Sequence, residues 1–150
     1  ESFKAYGVLK HRHTPEIKQE MDKLSESDIN VVFTPHLLPI NRGILSTIYL
    51  EVNEKWKESL TEEKIYEIYN DFYKNEYFIR VIENLPEIKN VKNSNICEIG
   101  VRYDSKTGNI IVISTIDNLI KGAGGQAVQS MNIMFGFEEN MGLEFLSMYI

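Results

Sequence analysis

The sequence predicts an α+β fold: a mixed, largely antiparallel sheet with helices on one face and a long helix near the C-terminus. Three observations carry that expectation. Five short runs are rich in β-branched and aromatic residues, two stretches space their apolar residues at helical intervals, and "YDSKTGNI" (Tyr103–Ile110) reads as a hairpin turn between two of the runs.

Taken in order, "HTPEIKQEMDKLS" reads as the first helix. Thr14 is placed to cap it, Pro15 suits a first helical position, and Ile17, Met21 and Leu24 share a face. "INVVFTP" reads as a strand ended by Pro35, and "GILSTIYLEV" as a second strand. "LTEEKIYEIYNDFY" is a helix capped by Thr61, with acids in its first turn and a stripe of Ile65, Ile68, Tyr69 and Phe72 expected to be buried. "YFIRVI" is a short strand and "PEIKNVKNSN" a polar connection. "ICEIGVRYD" and "NIIVISTI" are the hairpin strands. Asp117 then caps the long helix "NLIKGAGGQAVQSMNIMFG", and "LEFLSMYI" packs as a last strand or coil.

The chain has 150 residues, and 43% are apolar, enough for a core of its own. No apolar run approaches the ~20 residues of a membrane span. A net charge of −6 argues against nucleic-acid binding, which needs a basic surface. The single cysteine, Cys97, excludes an internal disulfide and fits a reducing cytoplasm. The first residue is Glu1 rather than Met, and we expect the chain to be part of a longer one.

Two of the three histidines fall in "KHRHTPEI", as His11 and His13. Three readings stand side by side here. The pair could ligate a metal with Glu16 or His36 completing the site. It could be two solvated side chains at a helix end. Or it could serve acid–base chemistry near neutral pH, with Glu16 orienting one ring. "KGAGGQA" matches G-x-G-x-x-A, but five residues, Asp117 to Lys121, separate it from the preceding strand, and no βαβ unit follows. It reads instead as a helix with a small-residue face, whose three glycines imply close approach of a backbone or a ligand. Cys97 alternates on a strand and reads as a buried, inert thiol. Arg42 in "PINRGIL" is a surface arginine or an anion clamp.

Together "AYGVLKHRHTPEI", "FTPHLLPINRGILSTIYL" and "NICEIGVRYDSKTGNIIVISTIDNLIKGAGGQAVQSMNIMFGFEENMGL" resemble the C-terminal part of the N-acetyl-γ-glutamyl-phosphate reductase family, from about Phe3 to Leu143. The resemblance implies a glyceraldehyde-3-phosphate dehydrogenase-like C-terminal fold. It implies a substrate-binding and dimerisation domain spanning residues 1–150, whose nucleotide-binding partner domain and nucleophilic cysteine lie N-terminal to this chain. Cys97 does not inherit the nucleophile's role.

The implied reaction is NADPH-dependent reduction of N-acetylglutamyl 5-phosphate to the semialdehyde and phosphate, in arginine biosynthesis. It runs through a cysteine thioester, with a histidine as base in the reverse direction. His11 matches the active-site histidine, His13 and Glu16 its neighbours, and Tyr6 a position near the substrate. Arg42 is our own candidate for the phosphate or carboxylate. Asn118, Gly122 and Gln126 fall where related dehydrogenases meet the nicotinamide. A cytoplasmic homo-oligomer, dimer or tetramer, with a small-molecule substrate follows, with no resident metal, no nucleic acid and no membrane partner. The competing classes are a stand-alone non-catalytic binding domain and a metal-binding protein using His11, His13 and Glu16.

Overall fold

A computed structural model describes residues 2–25 and 28–144. It resolves into two compact units, Glu1–Asn41 and Arg42–Ile150, each considered by itself.

The first unit holds an antiparallel pair, β1 (Lys4–Ala5) with β2 (His36–Leu37), and helix α1 (His13–Leu24). The strand expected at "INVVFTP" is not formed. Pairing starts one residue after Pro35, whose carbonyl instead accepts a 3.0 Å bond from the Tyr6 N–H. Proline has no N–H for a ladder, so the strand begins beyond it. Thr14 does not cap α1 either: the helix starts at His13, with Arg12 at the cap position, and Thr14 Oγ1 is buried without a partner.

The second unit is built on a four-stranded sheet in the order β3-β6-β5-β4. Its strands are β3 (Ile44–Glu51), β4 (Ile79–Val81), β5 (Cys97–Asp104) and β6 (Asn109–Ile116). β3, β6 and β5 pair antiparallel, and β4 joins β5 in parallel, which makes the sheet mixed as expected. The β5–β6 turn closes with Gly108 at φ 72°, its N–H 2.8 Å from the Asp104 carbonyl.

The register places Cys97, Ile99, Val101 and Tyr103 on one face, beside Ile110 and Val112 of β6 and Ile48 and Leu50 of β3. Helix α2 (Glu62–Tyr73) covers that face, Ile65 packing on Ile99, Val101 and Val112. Thr61 caps α2 as predicted, accepting from the Lys64 N–H at 3.2 Å. The buried stripe is shifted, however. Ile65 is 2% exposed and Tyr66, Tyr69 and Tyr73 pack with it, while Ile68 is 55% and Phe72 76% exposed. The Glu62 carboxylate accepts from the Tyr103 N–H at 3.0 Å, where β5 has run past its partner β4. That bond lies on the same side of the helix as Tyr66, Tyr69 and Tyr73.

"PEIKNVKNSN" is more than a polar connection. It contains a four-residue helix, α3 (Ile88–Val91), with Val91 fully buried beside Phe78, Ile96 and Leu143. The segment lies over the opposite sheet face: a Cβ on Gly100 would come within 2.7 Å of Pro86, and Asn90 reaches Glu98. Beyond β6 the chain makes a π-helical stretch, Ile120–Gly124, that runs into α4 (Gly125–Phe135). α4 ends on Gly136 at φ 72°, the left-handed residue a helix end favours. The apolar end "LEFLSMYI" lies outside the described residues apart from Leu143, which is buried, and Glu144. Among the described residues no helix is long and apolar enough to cross a membrane.

The shifted stripe separates two isoleucines on one helix. Ile65→Ala should destabilise the chain by about 3 kcal/mol, the cost of a cavity in a packed core. Ile68→Ala should cost under about 1 kcal/mol. Urea denaturation of both variants measures the contrast, and equal losses would mean that the sequence-based stripe was right.

Candidate functional site

The candidate residues fall into two groups, one in each unit. In the first, His11 sits two residues ahead of α1. Its carbonyl accepts from the Thr14 N–H at 3.0 Å, and its ring Nδ1 accepts from the His13 N–H at 3.2 Å. The ring thus takes up one of the orphan donors at a helix start, the work expected of Thr14. Three aromatic rings meet it edge-on: Tyr6 at 5.3 Å, His13 at 4.8 Å and Phe33 at 5.2 Å between centroids. The structure therefore brings the candidates Tyr6, His11 and His13 together, and adds Phe33, which no motif singled out.

Glu16 lies in the first turn of α1 and makes no hydrogen bond to either ring among the described residues. His36 is engaged elsewhere, stacked on Phe3 at 5.3 Å. Among the described residues no three histidine, cysteine or carboxylate side chains gather as a metal site would require.

The second group surrounds Asp117, whose side chain is 0% exposed. One carboxylate oxygen accepts from Arg42 Nη2 at 2.6 Å and the Asn93 N–H at 2.7 Å. The other accepts from the N–H groups of Leu119 and Ile120, at 2.8 and 3.0 Å, so the predicted cap is real. Burial pushes the Asp117 carboxyl up, but Arg42 and the three backbone donors outweigh it and hold it below the ordinary carboxylate range. Arg42, expected as an anion clamp, has thus given one edge of its guanidinium to Asp117, and its Nε is buried without a partner.

Asn118 Oδ1 accepts from the Gly43 N–H at 2.7 Å, which leaves its NH2 group to donate. Gly43, at φ 108°, packs where a Cβ would overlap Ile88. Gly122 lies one turn on, with room for a Cβ only 3.3 Å from the Asp117 carbonyl, and Gln126 is exposed, its amide 3.4 Å from Ser130 Oγ.

The glycine face has an internal reason as well. A Cβ on Gly125 would strike the buried Asn95 amide, which donates to Gln129 at 3.0 Å, and Lys121 meets the same Gln129 oxygen at 2.6 Å. Nothing comparable crowds Gly124, whose nearest neighbour would stand 3.6 Å away. Cys97 is half-buried; burial pushes its thiol up, against a smaller opposing pull from Lys121. That environment keeps sulfur protonated and fits the inert reading.

The semialdehyde dehydrogenase dimerisation-domain model matches residues 1–118. The chain is similar to proteins named N-acetyl-gamma-glutamyl-phosphate reductase. It is 54% identical to that of Thermoanaerobacter pseudethanolicus over 99% of this chain, and 51% identical to that of Clostridium novyi over 100%. It is 51% identical to that of Geobacter metallireducens over 99%. The matched region is 43%, 42% and 43% of those relatives, so the chain spans less than half their length.

The Asp117 environment makes a pH-dependent prediction. Because the folded-state carboxyl is depressed, the unfolded chain takes up its proton first as pH falls. The stability Asp117 contributes is whole above the ordinary carboxylate range and is lost as pH drops through the depressed value. Asp117→Asn should therefore cost ~3 kcal/mol near neutral pH, the low end for a broken buried pair because Arg42 is only partly buried. The variant should also lose less on acidification than the parent. Denaturation midpoints at about pH 7 and about pH 3 measure both effects.

Proposed function

The chain belongs to the semialdehyde dehydrogenase dimerisation-domain family, and from that premise we propose that it forms the substrate-binding and dimerisation part of an NADPH-dependent reductase. The reaction is conversion of N-acetylglutamyl 5-phosphate to N-acetylglutamate 5-semialdehyde and phosphate, in the cytoplasm. The observation that carries this reading is the His11 ring, held by a backbone N–H and boxed by Tyr6, His13 and Phe33, in a chain whose relatives bear that reductase's name.

In this reading a cysteine thiolate from outside the chain attacks the acyl phosphate carbon. The C–O bond to phosphate breaks, phosphate leaves with the electron pair, and a thioester remains. A nucleotide, when bound, would supply hydride to the thioester carbon; the C–S bond then breaks, the sulfur leaves as thiolate with the electron pair, and the semialdehyde is released. His11 stands beside the sulfur and, as a hydrogen-bond donor, favours its thiolate form and steadies the oxygen of the reduced carbon. His13 and Glu16 shape the electrostatics of the same helix start. Tyr6 lines the substrate side of the ring. Arg42 contacts the substrate's phosphate or carboxylate through the guanidinium edge that Asp117 does not hold.

Asn118, Gly122 and Gln126 fit a nucleotide's amide end: one oriented NH2 donor, a residue without a side chain to obstruct approach, and an exposed amide one turn further. The nucleotide is held mainly by the domain outside this chain.

Homo-oligomerisation is the second half of the proposal. β3 is an edge strand, and it exposes Ile44, Leu45, Ile48 and Tyr49. An unprotected apolar edge of this length is a liability unless something covers it. A second copy is the occupant that the family model's description supports.

Two expected outcomes test the halves separately, both in the full-length protein. His11→Asn should lower kcat by roughly 10²–10⁴-fold with a much smaller change in KM. His13→Asn should cost less, and the double variant should lose less than the product of the two. Wild-type turnover in His11→Asn would end the catalytic reading. Leu45→Lys combined with Tyr49→Lys should shift the sedimentation coefficient from oligomer to monomer; an unchanged coefficient would place the interface elsewhere.

A further inference from the structure

The turn before His11 is built from conformations that L-residues avoid. Gly7 has φ 59°, and so does Leu9, a branched residue 82% exposed to solvent. The Lys10 N–H closes the turn on the Gly7 carbonyl at 2.9 Å. A bulky residue held in the left-handed region is strained, and such strain persists only where the surroundings over-determine it. What the turn achieves is close approach: a Cβ on Gly7 would stand 3.0 Å from His11 Cδ2 and 3.3 Å from His11 Cβ. The turn backbone is therefore the wall against which one edge of the imidazole rests. On the other edge the His13 N–H donates to Nδ1 at 3.2 Å. A nitrogen that accepts from an N–H carries no proton of its own. The other three neighbours, Tyr6, His13 and Phe33, stand at T-shaped angles to the ring.

We propose that Gly7 and the backbone N–H of His13 are the positioning groups of this site: together they fix the His11 ring and its tautomer, so that Nε2, bearing the proton of the neutral ring, is the nitrogen that faces the chemistry. This rests on the catalytic reading of His11 and deepens it. A carboxylate is the usual partner that orients an imidazole through Nδ1–H. Here the polarity is reversed, because the partner is a donor. The neutral ring thus presents a hydrogen-bond donor to a thiolate or to the oxyanion formed from it, and the His13 side chain is not what holds it. Gly7 serves by lacking a Cβ: alanine there is strained by its φ and pushes the ring by a few tenths of an ångström.

The test uses the full-length protein. Gly7→Ala should lower kcat by about 10-fold with KM nearly unchanged, as expected for a reacting group displaced by a fraction of an ångström. The same change in a His11→Asn background should produce no further loss, because Gly7 acts only through that ring. In protein labelled with ¹⁵N-histidine, at a pH where the ring is neutral, His11 should appear as a single form with bare Nδ1 and protonated Nε2. His13→Ala should leave that form intact, because the backbone N–H survives. The NMR measurement decides the matter even if Gly7→Ala fails to fold. The proposal is overturned if His11 carries its proton on Nδ1, if His13→Ala changes the tautomer, or if Gly7→Ala lowers only the melting temperature. It is also overturned if the Gly7 and His11 losses multiply. A damaging His11→Asn beside a neutral Gly7→Ala would remove this inference alone, whereas a neutral His11→Asn would remove the catalytic reading and this inference with it.

Discussion

One carboxylate organises the second unit. Asp117 lies at the end of β6, and its four accepted hydrogen bonds run to the approach to β3, the loop before β5, and the first residues of the helical segment. A buried carboxylate with one bond would be a severe penalty; with an arginine and three N–H groups it is a junction. The junction explains otherwise unrelated local features. Asn93 adopts φ 64°, a conformation asparagine tolerates, and its N–H reaches the carboxylate. The helix starts with two N–H groups drawn onto Asp117, and its hydrogen bonds then take π spacing, Gly122 N–H reaching back to the Asp117 carbonyl at 2.8 Å. Such π turns gather at functional sites because they re-aim residues without ending the helix.

The same neighbourhood shows why small residues and amides cluster there. Gly43 and Gly125 sit where a side chain would collide with Ile88 or Asn95, and Asn118 is anchored by the Gly43 N–H. Residues proposed to face the nucleotide are therefore fixed by the protein's own hydrogen bonds. This is the preorganisation that precise ligand contacts need. The Asn95–Gln129–Lys121 network extends the anchoring into α4, so the helix is tied by polar contacts as well as by Val128 against the Phe78–Val91 cluster.

Backbone groups do comparable work around His11. No carboxylate among the described residues orients the ring; a helix-start N–H and a glycine turn do. Leu9, left-handed in the four-residue turn Gly7–Lys10, represents stored strain, and it sits just before the histidine that the catalytic reading requires. Both groups thus share a principle: the chemical side chain is held by main-chain donors, which cannot rotate away.

The sequence by itself determined the element list of the sheet, because alternation and β-branching are local properties. It determined the hairpin at "SKTG" and the Thr61 and Asp117 caps, because turn and cap signals need no tertiary knowledge, and it singled out "HRH" as a candidate. Only the tertiary structure decided the rest. The α2 stripe was set by packing on Ile99, Val101 and Val112, more than thirty positions away, with Glu62 bonded to a β5 residue forty-one positions away. Val91 hid a helix inside a polar stretch because one buried side chain leaves no periodic signal. The cap of α1 passed from Thr14 to the His11 ring, and Phe33 joined the box from a segment where a strand was expected. Arg42 found Asp117 across 75 residues. Apart from the α1 cap, whose donor lies two residues from the ring, the deciding partner is distant in sequence, and a pattern read within one turn or one strand carries no information about which distant group a side chain will meet.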